Sequence, residues 1–499
     1  MTITRQRMLH SDAFAWYMEK DPVLRSTVVA IIGLDRSPDW ERLRTRTDRL
    51  TRTVPKLRMR VQVPPLRIGP PLWTVDDSFD LDFHLRRGRV PGEGTWTDVL
   101  EFARTCAMDD FDRSRPLWEF TLLDGLADGG AAYVTKFHHA LTDGIGGVQL
   151  AALLIDPGPD ESLAGPLPHV PASGEVSELA LTASTVAGDA SEAISAASHV
   201  MAAVPSAVAT AARHPLDAAR TAVGAGLSVG RFVAPVNKQF STVLGTRRTH
   251  RALTTLDVPF DELHAAATTV GCHVNDAFLA ALTEGMRLYH MRCGESLQEL
   301  RVTVPVSIRA TSDEIGGNRI TLTRMKFPGG VTDPAERIRE IAEVVRRWRH
   351  EPALNHTQEI AFGLNLLPRA YLGGIFKRIE LLASDVPGLT EPVWLAGARV
   401  TGYYGFGPTI GSGLNATLIS YAGTCNVGVN MDTGAVTQPE LMASCLAKGF
   451  EQILALGRSA LQRLDPAAEP AGGGVPHGAP QDEPGSRRRH TDVKLVPDG

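Results

Sequence analysis

Apolar positions along the chain follow two periods, one of about two residues and one of about 3.6, and the switches between them mark the elements. The β-branched run "STVVAIIGL" (26–34) predicts a buried strand, and "WERLRTRTDRL" (40–50) predicts a helix with a charged outer face. In "RPLWEFTLLDGL" (115–126), Glu119 and Thr121 alternate with Trp118, Phe120 and Leu122, the pattern of a half-buried strand. "AAYVTKF" (131–137) follows after the turn-forming "ADGG", so the two strands are expected to form a hairpin. The second of them runs into "HHALTDG" (138–144), and "IGGVQLAALLI" continues as a nearly all-apolar, buried helix.

The same mixture returns between 251 and 464, where "RVTVPVSIRA", "NRITLTRMKF", "NATLISYAG" and "CNVGVNMD" read as strands. "NDAFLAALTEGMRLYHMR", from 275, reads as a helix: Phe278, Leu282, Met286 and Tyr289 recur at helical spacing, and Asn275 stands at the expected N-cap. Residues 1–157 and 251–464 are therefore expected to be two mixed α/β subdomains. Between them, 158–250 opens with the linker-like "DPGPDESLAGPLPHVPASG" and becomes Ala-rich with helical periodicity. From 201 to 251 it carries Arg213, Arg220, Arg231, Lys238, Arg247, Arg248 and Arg251 against a single acid, Asp217. A solvated interdomain helix pair and a segment lying on an anionic membrane surface both fit that pattern. Residues 465–499, rich in Pro, Gly and charge, are expected to be disordered.

Composition narrows the classes. A chain of 499 residues exceeds what one hydrophobic core usually serves, and 43% apolar with 21% charged residues is ordinary globular usage. A net charge of −5 argues against nucleic acid as the main partner. The five cysteines (Cys106, Cys272, Cys293, Cys425 and Cys445) are odd in number and form no CxxC pair, as expected of reduced, cytosolic core residues. Asp12, Glu19 and Lys20 interrupt the N-terminal segment before a signal-peptide apolar region can form, and no stretch has the length of a spanning helix.

Chemistry concentrates at 138–144. A histidine at a strand end beside a cleft can accept and return a proton near neutral pH. Strand alternation turns His138 and His139 opposite ways, so only one faces a given cleft and the other supports it. Asp143 can hold the loop by an ion pair or by capping the following helix, and Gly144 lets the backbone turn. Blander readings stay open: two satisfied core histidines, or an aspartate that only caps. A metal site is disfavoured because no HExxH and no convergent Cys/His set is present.

Together with the pattern around it, this segment resembles the bacterial wax ester synthase/diacylglycerol acyltransferases of the chloramphenicol acetyltransferase-like superfamily. The resemblance rests on HHxxxDG at 138–144, on a PLW motif at Pro116, Leu117 and Trp118, and on an ND motif at Asn275 and Asp276. "VPVSIR" with Arg309, "GGNRI" with Asn318, "EPVWLAGARVTG" and "ISYAGTCNVGVNMD" extend it over about 10 to 460. The family commonly has asparagine before Val-Pro-Gly, where this chain has Asp385.

What the resemblance implies is a pair of chloramphenicol acetyltransferase-like subdomains, each a mixed sheet with helices, with the active site in a tunnel between them. It implies transfer of a long-chain fatty acyl group from coenzyme A to the hydroxyl of diacylglycerol, giving triacylglycerol. By that carry-over His139 is the general base, His138 supports it, and Asp143 is structural, paired with an arginine such as Arg309. Acyl-CoA is a co-substrate, and no cofactor is bound. Peripheral association of a cytoplasmic protein with the inner membrane or lipid droplets would supply the acceptor, and Arg247, Arg248 and Arg251 are available for coenzyme A phosphates. No GxSxG elbow or neighbouring cysteine supports an acyl-enzyme, so a single direct transfer is expected. A wax ester synthase using fatty alcohol, a condensing enzyme acting on a carrier protein, and a lipid-binding protein of low turnover are the alternatives.

Overall fold

The computed structural model describes residues 5–64, 70–160, 165–170, 236, 239–307, 320–349, 351, 374 and 376–464. In chain order the first half carries β1 (Arg5–Arg7), α1 (His10–Met18), β2 (Thr27–Leu34), α2 (Trp40–Thr53), β3 (Met59–Gln62), β4 (Leu72–Val75), α3 (Leu81–His84), β5 (Leu85–Arg89), α4 (Trp96–Met108), β6 (Trp118–Asp124), β7 (Ala131–His138) and α5 (Gly144–Ala152). The second carries β8 (Arg251–Pro259), α6 (Phe260–Thr269), α7 (Val274–Arg292), β9 (Glu299–Ser307), β10 (Ile320–Pro328), α8 (Pro334–Arg349), β11 (Leu381–Leu389), β12 (Trp394–Leu395), β13 (Ala398–Phe406), β14 (Leu414–Tyr421), β15 (Thr424–Asp432) and α9 (Pro439–Leu464).

Two six-stranded sheets organise these elements, in the orders β12-β13-β2-β7-β6-β5 and β10-β9-β11-β14-β15-β8. Both are mixed: β5 runs parallel to β6 in the first, and β11 runs parallel to β9 and β14 in the second. The expected hairpin forms, with β6 antiparallel to β7 and Trp118 opposite Phe137. Its turn bends through Gly125 and Gly129 at φ 86° and 87°, left-handed values that glycine adopts without a Cβ clash. All eight residues of β7 are buried, which explains a strand with no alternation to read.

Two sequence expectations change. The helix expected to be capped by Asn275 begins two residues earlier, with His273 as its N-cap and Asn275 inside the first turn. The cause is Asp276, whose carboxylate reaches back to the His273 N–H at 3.0 Å, the return half of a capping box. The region 251–464 also does not stay within the second sheet. Its β12 and β13 cross to the first, where β13 pairs antiparallel with β2, Tyr404 opposite Ile31 and Phe406 opposite Val29. The exchange gives β2 a partner on its second edge and makes the core continuous: Val386, Leu389, Ile419 and Tyr421 of the second sheet belong to the same buried cluster as Trp118 and Tyr133.

Most of the Ala-rich linker, with Arg213, Arg220, Arg231 and Lys238, the tail 465–499, and also Arg309 and Asn318, lie outside the described residues. Among the described residues no helix is long and apolar enough to cross a membrane.

Candidate active site between the two sheets

The last residue of β7 is His138, and the chain then turns sharply. The His138 amide donates to Leu117 O at 3.1 Å, and the His139 amide donates across to Ser26 O at 2.8 Å. The turn closes on itself, because the Ala140 amide donates to His138 Nδ1 at 3.0 Å and the Leu141 amide to His138 O at 2.8 Å. Asp143 then starts α5: its carboxylate accepts from the Gly146 amide at 2.7 Å and its carbonyl from Gly147 at 2.8 Å.

The two rings meet opposite environments. His138 is 1% exposed and lies beside Trp16 and Phe111, with ring centroids 5.5 and 6.0 Å away. Since Nδ1 accepts the Ala140 amide, the ring proton sits on Nε2, which lies 3.1 Å from Glu19 Oε2, close but off the hydrogen-bond axis. Glu19 also accepts from the Ser26 amide at 2.8 Å and from Arg113 at 3.0 Å. Burial pushes its carboxyl pKa up, but the His138 ring, the Ser26 amide and Arg113 outweigh that and hold it below the usual value.

His139 keeps part of its surface open to a cavity lying deep between the sheets. Burial pushes its pKa down, which neither the Asp143 charge nor its own backbone carbonyl reverses. The ring is thus neutral near pH 7, the form a general base needs.

The cavity is lined from both halves. Val28 and Phe137 come from the first sheet, Leu382, Val386 and Ile419 from the second, and Tyr403 and Phe406 from the exchanged strand β13. This apolar wall suits a hydrocarbon chain. Thr142, Asp143, Ser384, Asp385, Asn415 and Thr417 add polar groups, with Asp385 on β11. Gly144 lets α5 approach β11, since a Cβ there would stand 2.9 Å from Val386 Cγ2.

Other sequence candidates fall outside the cavity lining. Pro116, Leu117 and Trp118 are buried in the first half, where Trp118 Nε1 donates to Leu57 O at 2.8 Å and its ring stacks on His84 at 4.6 Å. The motif meets the site through Leu117 O, which holds the His138 amide, and through Trp118, which pairs with the cavity-lining Phe137. Asn275 and Asp276 lie in the first turn of α7, and neither lines the cavity. Arg247 and Arg251 are committed elsewhere: Arg247 donates to the carbonyls of Gly411, Gly245 and Ile379, and buried Arg251 lies 3.1 Å from Asp432. Of the three arginines expected at a phosphate, Arg248 alone is exposed. Glu19, which sequence reading used only as an interruption of an apolar segment, proves to be the acid in contact with His138.

Among the described residues no group of three or more His, Cys, Asp and Glu is placed to hold a metal ion. Burial pushes Cys106 up to about 11 and Cys425 up to about 12, so neither offers a thiolate near neutral pH.

Residues 8–278 match the family model of the wax ester synthase/diacylglycerol acyltransferase catalytic domain, and 316–454 match that of the family's C-terminal domain. A Mycobacterium tuberculosis protein carrying the name diacylglycerol O-acyltransferase is 36% identical over 461 residues, covering 90% of this chain and 92% of its own length. A second from that organism, with the same designation, is 30% identical over 472 residues, covering 90% and 89%. Among solved structures, the wax ester synthase/diacylglycerol acyltransferase of Marinobacter aquaeolei VT8 superposes with a TM-score of 0.60 at 19% identity, covering 91% of this chain and 100% of its own. The starter condensation domain of rhizomide synthetase, solved with C8-CoA, gives 0.56 at 12%, covering 92% and 95%.

Proposed function

The chain belongs to the wax ester synthase/diacylglycerol acyltransferase family, and on that premise we propose that it transfers a long-chain acyl group from acyl-CoA to diacylglycerol in one step, with His139 as the base. The observation that carries this reading is the partly open His139 ring on an apolar cavity shared by both sheets.

His139 takes the proton of the acceptor hydroxyl while the oxygen attacks the thioester carbonyl carbon. The tetrahedral oxyanion then collapses, the C–S bond breaks, and the protonated imidazole returns its proton to the departing coenzyme A thiolate, leaving ester and free thiol. Negative charge develops on the carbonyl oxygen beside Gly144 and Ile145, which line the cavity at the positive end of α5. Asp143 caps that helix and, through its charge, favours the imidazolium that forms. Each buried methylene of the acyl chain contributes about 0.8 kcal/mol, so an apolar wall favours long chains. Diacylglycerol reaches such a site from a lipid surface, with which the protein associates peripherally.

Purified protein given palmitoyl-CoA with diolein or with hexadecanol, its products identified by mass spectrometry, tests the reading. Triacylglycerol formed faster than wax ester is the expected result. Wax ester alone would reassign the acceptor, and palmitoyl-CoA binding without either product would make the chain a lipid-binding protein.

A further inference from the structure

Glu19 touches neither the cavity nor, on the reading above, any reacting atom, yet its two carboxylate oxygens reach His138 and the amide of Ser26, the residue that contacts His139. Oε2 lies 3.1 Å from His138 Nε2 and accepts from Arg113 at 3.0 Å. Oε1 accepts from the Ser26 amide at 2.8 Å, and the Ser26 carbonyl accepts the His139 amide at 2.8 Å. One carboxylate thus contacts the supporting ring directly and reaches the main chain of His139 through one residue, Ser26. The surroundings fix it in turn. Its side chain is 4% exposed, and Arg113 lies over the Trp16 ring at 4.4 Å while Trp16 packs beside His138. A buried carboxylate needs such donors to stay charged, and the pairing that keeps it charged also ties α1 to the turn carrying His139.

We infer that Glu19 is a positioning residue for acyl transfer, clamping the His138 ring and, through Ser26, the main chain of His139 so that the base is aimed at the acceptor hydroxyl. The inference rests on the acyl-transfer reading above. It requires a change at Glu19 to act on the chemical step and to leave acyl-CoA binding alone, because the clamp lies outside the cavity.

Glu19→Gln separates the two arms. The amide oxygen can still accept from Ser26, while the amide nitrogen turns a donor toward the donors of His138 and Arg113. Steady-state coenzyme A release with palmitoyl-CoA and diolein is measured for wild type, His139→Ala, Glu19→Gln, His138→Ala and the Glu19→Gln/His138→Ala double variant. The expected result is a kcat reduced roughly 10 to 100-fold in Glu19→Gln with KM for palmitoyl-CoA unchanged within about twofold, and little further loss when Glu19→Gln is added to His138→Ala. Wild-type turnover that collapses in His139→Ala but stays intact in Glu19→Gln, or a Glu19→Gln effect confined to KM, would overturn the role of Glu19 and leave the acyltransferase reading standing. Absence of acceptor-dependent release in wild type would instead overturn that reading, and this inference with it. If Glu19→Gln does not fold, Arg113→Gln decides, since that side chain is 42% exposed. It should lower kcat about three to tenfold at constant KM, and an unchanged kcat would overturn the clamp.

Discussion

His138 and His139 leave the same strand end on opposite sides, and their surroundings differ in nearly every respect. His138 is sealed among Trp16 and Phe111, with a compensating carboxylate and a backbone donor on its two nitrogens. His139 has an apolar cavity in front of it and a pKa pushed down by burial. The first ring is held and the second is available. Adjacent identical residues therefore take different parts because the chain turns after His138, the last residue of β7, and only His139 borders the cavity.

The comparison predicts that stability and activity separate. The largest stability loss is expected for His138→Ala, about 3 kcal/mol in urea unfolding, because it opens a void and leaves Glu19 short of a partner. His139→Ala should cost less than about 1 kcal/mol, as its ring already borders empty space. Equal losses would erase the distinction between the two sides. Next in size is Gly144→Ala, about 2 kcal/mol, because the new methyl meets a stiff valine across the cleft; the Gly144→Ala/Val386→Ala double variant should recover most of it. Failure of the second change to compensate would show that α5 and β11 are not in contact in solution. Asp143→Ala, losing the cap, should cost about 1 kcal/mol in the same assay.

Smallest is a pH effect. His139 must be neutral to act, and its pKa lies below the ordinary 6.5. The acid limb of kcat/KM should therefore have its midpoint below pH 6.5. A half-maximal rate above pH 6.5 would mean that burial does not dominate at this ring.

How much of this was legible depended on how local the cause was. The β6–β7 hairpin and the apolar helix α5 follow from neighbours in the chain, and they stand where periodicity placed them. The N-cap of α7 stands two residues before Asn275 because Asp276 reaches back to the His273 amide. The exchange of β13 into the first sheet has no local sign, since a strand's residues encode its burial and not which strand will lie beside it. Glu19 was invisible for a similar reason. It is joined to His138 across more than a hundred residues, and a lone acid near the N-terminus reads as surface until the fold brings it to the histidine. Arg247 and Arg251 failed in the opposite sense: their charge was legible, but the carbonyls and the Asp432 carboxylate that occupy them were not.

The account turns on His139 performing the proton transfer from the cavity side. The measurement that tests it most directly is acceptor-dependent coenzyme A release by His139→Ala beside wild type, with palmitoyl-CoA affinity determined for both. A fall of roughly 10² to 10⁴-fold in kcat/KM at unchanged affinity is the predicted result. Acceptor-dependent release at the wild-type rate in His139→Ala would contradict it.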